Sequence, residues 1–364
     1  MTLEEKYMAE CIKLAKKGAG FVSPNPLVGC VIVKDGRIIG KGYHKRFGEA
    51  HAEVNAVQDA KRNGFDVKGS EVYVNLEPCA HTGKTGPCAV MLSEESPSAV
   101  YVGMKDPFEN VNGKGLKILK QSGVRVYENV LKEKCEELNK FFTTYVTLKR
   151  PYVTLKIAQS IDGKIALGNN ESKYITSEAS RRVVHSMRSK YDAVLIGANT
   201  AMHDNPKLDS RLTSGRNPLR VVIDPELRLP HSLSLFTDEL KERTIILASA
   251  KALKRKKNIP VRAVQVKEVK GIFPAKNILN ELYDLNIASL IVEGGRYLFS
   301  QFLKSRLYDD LYFFVAPKII GTGISAFDDL SIRSLSSSKE LILKKHKSIG
   351  NDILIQYDNV HRHS

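Results

Sequence analysis

The sequence predicts an α/β protein built as two successive domains, and three observations carry that reading. Short apolar runs rich in β-branched residues alternate with stretches of helical period along the chain, the pattern of layered α/β folds. All five cysteines (Cys11, Cys30, Cys79, Cys88 and Cys135) fall in the first 135 residues, so the two halves differ in chemistry. The alternation also resets between Phe141 and Pro151, where Lys149-Arg150-Pro151 leads into a new strand. Proline suits the first residue of a strand. The expected domains are 1–147 and 148–364, and a chain of 364 residues, 42% apolar, is long enough to bury two cores.

In the first half, residues 3–17 place Leu3, Tyr7, Met8, Cys11, Ile12, Leu14 and Ala15 close to helical period. Strands are expected at 28–33, 37–42, 72–76, 99–103 and 124–127, and helices at 50–63, 88–95, 114–121 and 131–140. Glycine-containing breaks at 35–36 and 113–115 separate them. The result is a sheet covered by helices on both faces. The second half reads as strands at 152–157, 192–197, 219–223, 244–247, 289–292, 308–316 and 352–357, with helices at 177–188 and 295–304. No internal repeat or low-complexity segment interrupts it.

The chemistry is concentrated in His51-Ala52-Glu53, Pro78-Cys79 and Cys88. One imidazole and two thiolates are three zinc ligands, and a catalytic zinc keeps its fourth position open for water. A carboxylate that is not a ligand can then move the proton of that water to a ring nitrogen and on to a departing amine. Nucleobase deaminases carry H-x-E…P-C-x-x-C for this purpose. Here eight residues, Ala80 to Pro87, separate the cysteines instead of two, which narrows the family. His51 and Cys88 stand where helices are expected to begin, and a helix N-terminus favours thiolate over thiol. Cys11, Cys30 and Cys135 lie in apolar or helical surroundings and read as structural.

The net charge of +16 fits a nucleic-acid partner, a phosphorylated small substrate or simple solubility. The densest basic cluster, Lys254-Arg255-Lys256-Lys257, has no interleaved aromatic and reads as a solvated helix face. No cysteine spacing resembles a disulfide framework. The N-terminal residues carry acid early and lack an apolar signal core, and no run of eighteen apolar residues occurs, so a cytoplasmic protein is expected.

With these motifs in view, the chain resembles the bifunctional deaminase–reductases of riboflavin biosynthesis over nearly its whole length. The resemblance rests on Ser23-Pro24-Asn25-Pro26-Leu27-Val28-Gly29, on Gly42-Tyr43-His44 before His51-Ala52-Glu53, and on Glu77-Pro78-Cys79 through Gly83-Lys84-Thr85-Gly86-Pro87-Cys88. In the second half it rests on Arg150 to Lys156, Ser160-Ile161-Asp162-Gly163-Lys164, Asp204-Asn205-Pro206 and Val292-Glu293-Gly294-Gly295. It implies a cytidine-deaminase-like N-terminal α/β/α sandwich and a dihydrofolate-reductase-like C-terminal α/β domain. It further implies hydrolytic loss of an amino group from a diamino-ribosylamino-pyrimidinone 5′-phosphate, then NADPH reduction of the ribosyl chain to ribityl. One zinc ion and NADPH are the cofactors, and pairing through the reductase domain is expected, with neither nucleic acid nor membrane as partner.

The resemblance also implies residue roles. His51, Cys79 and Cys88 hold zinc, and Glu53 shuttles protons. Asn25, His44 and Lys84 contact the deaminase substrate, while His81 is read as packing in the loop. Ala158, Tyr174, Thr200, Asp204, Gly295, Arg296, Tyr297, Leu298, Phe299, Ser300 and Gln301 line NADPH. Lys156, Ser172, Arg188, Leu208, Arg211 and Glu293 face the reductase substrate, with Arg188 and Arg211 able to grip phosphate in a bidentate way. Asp162 is a weaker candidate for positioning. The Gly294-Gly295 pair at a strand–helix junction lets backbone approach a phosphate, although it is not a G-x-G-x-x-G fingerprint.

Two other readings compete. A polynucleotide deaminase of the tRNA type with a non-catalytic basic C-terminal domain predicts C-x-x-C spacing and stacking aromatics beside the basic residues. The chain has the longer spacing, 7% aromatic residues and no Trp. A degenerate second half serving only as a platform is the other reading, and reductase activity separates it from the first.

Overall fold

The computed structural model describes residues 1–80, 86–109 and 111–359. The chain divides into two compact units, Met1–Lys149 and Arg150–Ser364.

The first unit runs α1 (Leu3–Ala15), β1 (Gly29–Lys34), β2 (Arg37–Tyr43), α2 (Ala52–Arg62), β3 (Glu71–Val74), α3 (Cys88–Glu94), β4 (Ala99–Val102), α4 (Lys114–Gln121), β5 (Arg125–Tyr127), α5 (Lys132–Leu138) and α6 (Lys140–Leu148). The five strands form one sheet in the order β2-β1-β3-β4-β5, antiparallel at β2/β1/β3 and parallel at β3/β4/β5. Helix α1 starts in a capping box: the Thr2 hydroxyl accepts from Glu5 N–H and the Glu5 carboxylate accepts from Thr2 N–H. Its inner face buries Tyr7, Met8, Cys11 and Ile12. A Cβ at Gly40 or Gly42 would overlap the carbonyl oxygens of Ala56 and Ala52, respectively. These two bare positions let α2 lie directly on β2, and that fixes where the first turn of α2 stands.

The second unit runs β6 (Tyr152–Ser160), β7 (Lys164–Leu167), α7 (Glu178–Arg188), β8 (Ala193–Gly197), α8 (Ala198–Asp204), β9 (Leu219–Ile223), α9 (Ser234–Thr237), β10 (Thr244–Ala248), α10 (Ala250–Arg255), β11 (Arg262–Gln265), α11 (Ala275–Asp284), β12 (Ser289–Val292), α12 (Arg296–Ser305), β13 (Asp310–Ala316), β14 (Gly323–Ser325), β15 (Leu341–Ile349) and β16 (Asp352–Asn359). Nine strands form a sheet in the order β11-β10-β9-β8-β12-β6-β13-β16-β15. It is parallel from β11 to β13 and antiparallel from β13 to β15. Strands β8 and β12 are almost wholly apolar, as strands covered on both faces must be. Strands β7 and β14 form a separate antiparallel pair.

Some elements depart from expectation. The helix expected at 131–140 is two helices, broken at Asn139, whose side chain accepts from Leu27 N–H and donates to Leu27 carbonyl. Strands β7, β11, β14 and β15 and helices α6 and α8–α11 were not anticipated. In β15 residues 342–348 are all exposed, so no apolar alternation marks it; pairing with β16 makes it a strand. Lys254, Arg255, Lys256 and Lys257 lie exposed at the end of α10, as a solvated face should.

Candidate functional site

In the first unit three short pieces of chain converge. His51 is the residue before α2, Cys79 follows β3 through Asn75 to Pro78, and Cys88 is the first residue of α3. His51 Nδ1 lies 3.5 Å from Cys79 Sγ and 3.4 Å from Cys88 Sγ, and all three ligand atoms fall within 4.8 Å of one another. Tetrahedral nitrogen and sulfur ligands held at about 2.0 and 2.3 Å from zinc stand roughly 3.5 Å apart. The donor set and its spacing therefore fit zinc, and it is the one such group among the described residues. The N–H of Cys88 also donates to Cys79 Sγ at 3.3 Å, which favours the thiolate.

Glu53 sits in the first turn of α2, buried. Burial pushes its carboxyl up to about 7, and the negative charge on Cys79 adds to the rise. His44 is buried, and its ring meets the His51 ring edge-on at 5.5 Å. Its Nδ1 is 3.1 Å from the Ala50 carbonyl, which can only accept, so Nδ1 carries the hydrogen. Nε2 is then the acceptor for the Asn25 amide at 3.3 Å. Asn25 and His44 thus flank the metal-ligand set as one hydrogen-bonded pair. Lys84 and His81 lie outside the described residues.

Two buried residues that motif reading passed over build this site. Asn75 accepts from Gly29 N–H at 2.7 Å and donates to Leu27 carbonyl at 2.9 Å, fastening the Asn25 loop to β3. Glu77, buried, accepts N–H bonds from Asp106, Gly113, Gly115 and Leu116 at 2.9–3.4 Å. It caps α4 and anchors Pro78-Cys79. The signal was Glu77 directly before Pro78-Cys79, but its partners are 29 to 39 residues away.

In the second unit a cleft of about 900 Å³ opens where β6, β8, β9 and β12 end. Ligands of open α/β sheets bind at such strand ends. On its floor Glu293 pairs with Arg188 in a bidentate fork, Nε–Oε1 2.7 Å and Nη2–Oε2 2.8 Å, and Lys156 Nζ stands 3.6 Å from Oε2. Burial alone would push the Glu293 carboxyl up, but Arg188 and Lys156 overcome it and hold it down at about 2. Burial also lowers Lys156, against the pull of Glu293. Arg188 gives its remaining nitrogen to the Asp209 carbonyl at 3.0 Å. Arg211, half exposed, meets Asp209 Oδ1 at 2.5 Å. His185, one turn before Arg188, is buried with Nδ1 unbonded and 3.8 Å from Asp209 Oδ1. Burial, then Arg188 and Arg211, press its imidazole down to about 4. Neither His185 nor Asp209 was singled out from sequence, because no local motif marks them.

The cleft brings together Lys156, Ala158, Ser172, Tyr174, Arg188, Thr200, Asp204, Leu208, Arg211 and Glu293, with Gly295, Arg296, Tyr297, Leu298 and Phe299 at one wall. Ser172 Oγ donates to Asp204 Oδ1 at 2.8 Å, and Tyr174 stacks on the Arg181 guanidinium at 4.1 Å. Ser300 and Gln301 lie further along α12, outside the lining of the cleft: Ser300 Oγ accepts from Asp328 N–H at 2.7 Å, and the Gln301 amide donates to the Phe273 carbonyl. Arg188 is held by Glu293 through Nε and Nη2 and by the Asp209 carbonyl through Nη1, which engages three of its five N–H donors. Asp162 does not line the cleft; it accepts from Ile320 and Gly321 N–H and ties down that loop. The glycine pair also has a structural reason of its own. A Cβ on Gly294 would overlap Ile196 of β8, and Gly295 has φ +84°, so both are demanded by packing and turn.

No helix among the described residues is long and apolar enough to cross a membrane. Residues 1–104 match the cytidine and deoxycytidylate deaminase zinc-binding region, and residues 151–355 match the RibD C-terminal domain. The riboflavin biosynthesis protein RibD of Aquifex aeolicus is 41% identical over 354 residues, covering 97% of this chain and 98% of that protein. RibD of Escherichia coli is 34% identical over 368 residues, covering 97% and 98%. Among solved structures, a diaminohydroxyphosphoribosylaminopyrimidine deaminase/5-amino-6-(5-phosphoribosylamino)uracil reductase from Thermotoga maritima superposes with a TM-score of 0.89 at 38% identity, covering 98% of this chain and 99% of that one. With a zinc-ready cluster in one unit and a charged cleft in the other, the chain belongs to the RibD family of bifunctional deaminase–reductases of riboflavin biosynthesis.

Proposed function

We propose that residues 1–147 deaminate 2,5-diamino-6-ribosylamino-4(3H)-pyrimidinone 5′-phosphate and that residues 148–364 reduce the product to 5-amino-6-ribitylamino-uracil 5′-phosphate. The observation that carries the first step is the buried Glu53 carboxyl beside a three-donor cluster with zinc spacing. His51, Cys79 and Cys88 hold the metal. Zinc, when bound, supplies acidity, bringing a water in its open position to a pKa of about 7. Glu53 takes the proton from the attacking water, passes it to the ring nitrogen and returns a proton to the amine as the C2–N bond breaks. The Asn25 amide, oriented by His44, keeps its carbonyl oxygen for substrate N–H groups. Lys84 is assigned to the phosphate on the strength of the family match.

In the second unit NADPH supplies the hydride. Tyr174, Thr200, Asp204 and the turn at Gly295 to Phe299 form the wall assigned to the cofactor, with Ala158 at its base. Arg211, half exposed on a single carboxylate, is the cation assigned to the substrate phosphate. The Arg188–Glu293–Lys156 cluster orients rather than grips: it fixes a carboxylate and an ammonium at the reacting end, beside Ser172 and Leu208. Pairing of two copies through the reductase unit, and a cytoplasmic location, belong to the same proposal; the five unpaired thiols suit a reducing compartment.

The test is a coupled assay with the diamino substrate and zinc-analysed protein. Ammonia release without NADPH, followed by NADPH oxidation that depends on it, is the expected result. Ammonia without any NADPH oxidation leaves the second unit a platform. Deamination of polynucleotide but not of the small substrate overturns the assignment.

A further inference from the structure

Five arginines line the cleft of the second unit among the described residues, and three of them are paired with carboxylates: Arg188 with Glu293, Arg211 with Asp209 and Arg296 with Asp328 at 2.7 Å. Arg181, partly buried, lies under the Tyr174 ring and donates to the Thr176 carbonyl at 3.0 Å. Arg228 is exposed, and its bond is to a neutral partner, the Asn199 side-chain oxygen at 2.6 Å. The neighbouring carboxylate, Glu226, pairs instead with Arg255 at 3.3 Å. The cleft therefore carries, at this spot, a guanidinium whose charge no carboxylate offsets.

Its place in the sheet says what that charge meets. Lys156 lies on β6 and Glu293 follows β12, so the reacting end is at β6 and β12. Asn199 follows β8 and Arg228 follows β9, three strand spacings or about 14 Å from β6. A dinucleotide whose nicotinamide faces the charged cluster runs its adenosine end along the cleft toward Asn199, Pro225 and Arg228, all of which line it. An arginine at the adenosine ribose is the device that accepts a 2′-phosphate, the group that separates NADPH from NADH.

We propose that Arg228, held by Asn199, is the specificity-determining residue that reads the 2′-phosphate of NADPH. This rests on the reading of the cleft as a dinucleotide site. The Asn199 contact pins the guanidinium at one edge and leaves a planar donor face for phosphate, which a lysine in its place would reproduce only as a point charge.

The full-length protein has no Trp, so reduced-nicotinamide emission reports binding without turnover and without indole background. Dissociation constants for NADPH and NADH are measured for wild type, Arg228→Gln and Arg228→Lys, with displacement by 2′,5′-ADP as a second readout. Arg228→Gln is expected to weaken NADPH about 10- to 100-fold while leaving NADH within about twofold. Arg228→Lys recovers part of the loss, and 2′,5′-ADP displaces NADPH from wild type far better than from Arg228→Gln. Equal losses for both cofactors, or no loss, overturn the assignment of Arg228. Failure of the folded wild type to bind either cofactor overturns the dinucleotide reading beneath it, a result the wild type alone reveals.

Discussion

The His51–Cys79–Cys88 cluster and the Lys156–Arg188–Glu293 cluster are both buried and polar, but their groups are satisfied in opposite ways. In the first, an imidazole and two sulfurs converge at about 3.5 Å, a spacing that suits a shared cation at their centre better than it suits one another. In the second, one carboxylate is shared by two cations at 2.7 to 3.6 Å, so each charged group has a counter-ion in place. A buried ion pair costs much of its Coulomb gain in desolvation, yet removing one member strands the others. The first cluster is thus a place left for a ligand, and the second is a preorganised surface against which a ligand is oriented. That difference bears on Arg188, whose Nε–Nη2 edge already holds Glu293.

The sharpest way to break the comparison is to remove the carboxylate that stands beside the first cluster and the one that lies within the second. Glu53→Ala is expected to lower deamination by about 10²–10⁴-fold with zinc content and NADPH oxidation of the deaminated intermediate unchanged. Ammonia release near the wild-type rate would remove Glu53 from the proton path. Glu293→Gln does something else: it leaves Arg188 and Lys156 buried without their counter-ion, and unfolding of the second unit in denaturant should show a loss of about 3–5 kcal/mol. If stability holds and only KM for the reductase substrate rises, the cluster is not the ionic platform described above.

Acid separates the two contributions within the second unit. Glu293 is held at about 2, below the ordinary carboxyl value of 4.5, so its stabilisation is complete above that value and is lost as pH falls toward 2. His185 is pressed from 6.5 to about 4, so the unfolded chain binds its proton first, and stability declines as pH falls from 6.5 to 4. His185→Gln should therefore flatten the stability profile between pH 6.5 and 4 while leaving the steeper loss below it. An unchanged slope in that window would mean His185 is solvated in the folded protein.

How much of each cluster could be read beforehand follows from sequence separation. His51 and Glu53 are two residues apart at a helix start, and Cys79 and Cys88 are nine residues apart in the sequence, so chemistry and spacing were visible together. Arg188 and Glu293 are 105 residues apart, and the fork that occupies Arg188 exists only because β8 and β12 are neighbours in the sheet. The block 295–301 read as one cofactor wall; which backbone groups Ser300 and Gln301 meet, at Asp328 and Phe273, was not legible from the block itself. Strand β15 shows the same limit in the fold: exposed from Ile342 to Ser348 without apolar alternation, it is a strand because β16 pairs with it.

The amino-acid sequence by itself determined the α/β class, the candidate zinc donors with their adjacent carboxyl, and the family, because all of these are short-range patterns of residue type. Tertiary structure alone decided which charges are already spent, which helix face meets the cleft, and why Gly40, Gly42 and Gly294 must be bare. Those depend on which strands and helices become neighbours, and the free energy of a buried charge is set by the partners folding brings to it rather than by the residues beside it in the chain.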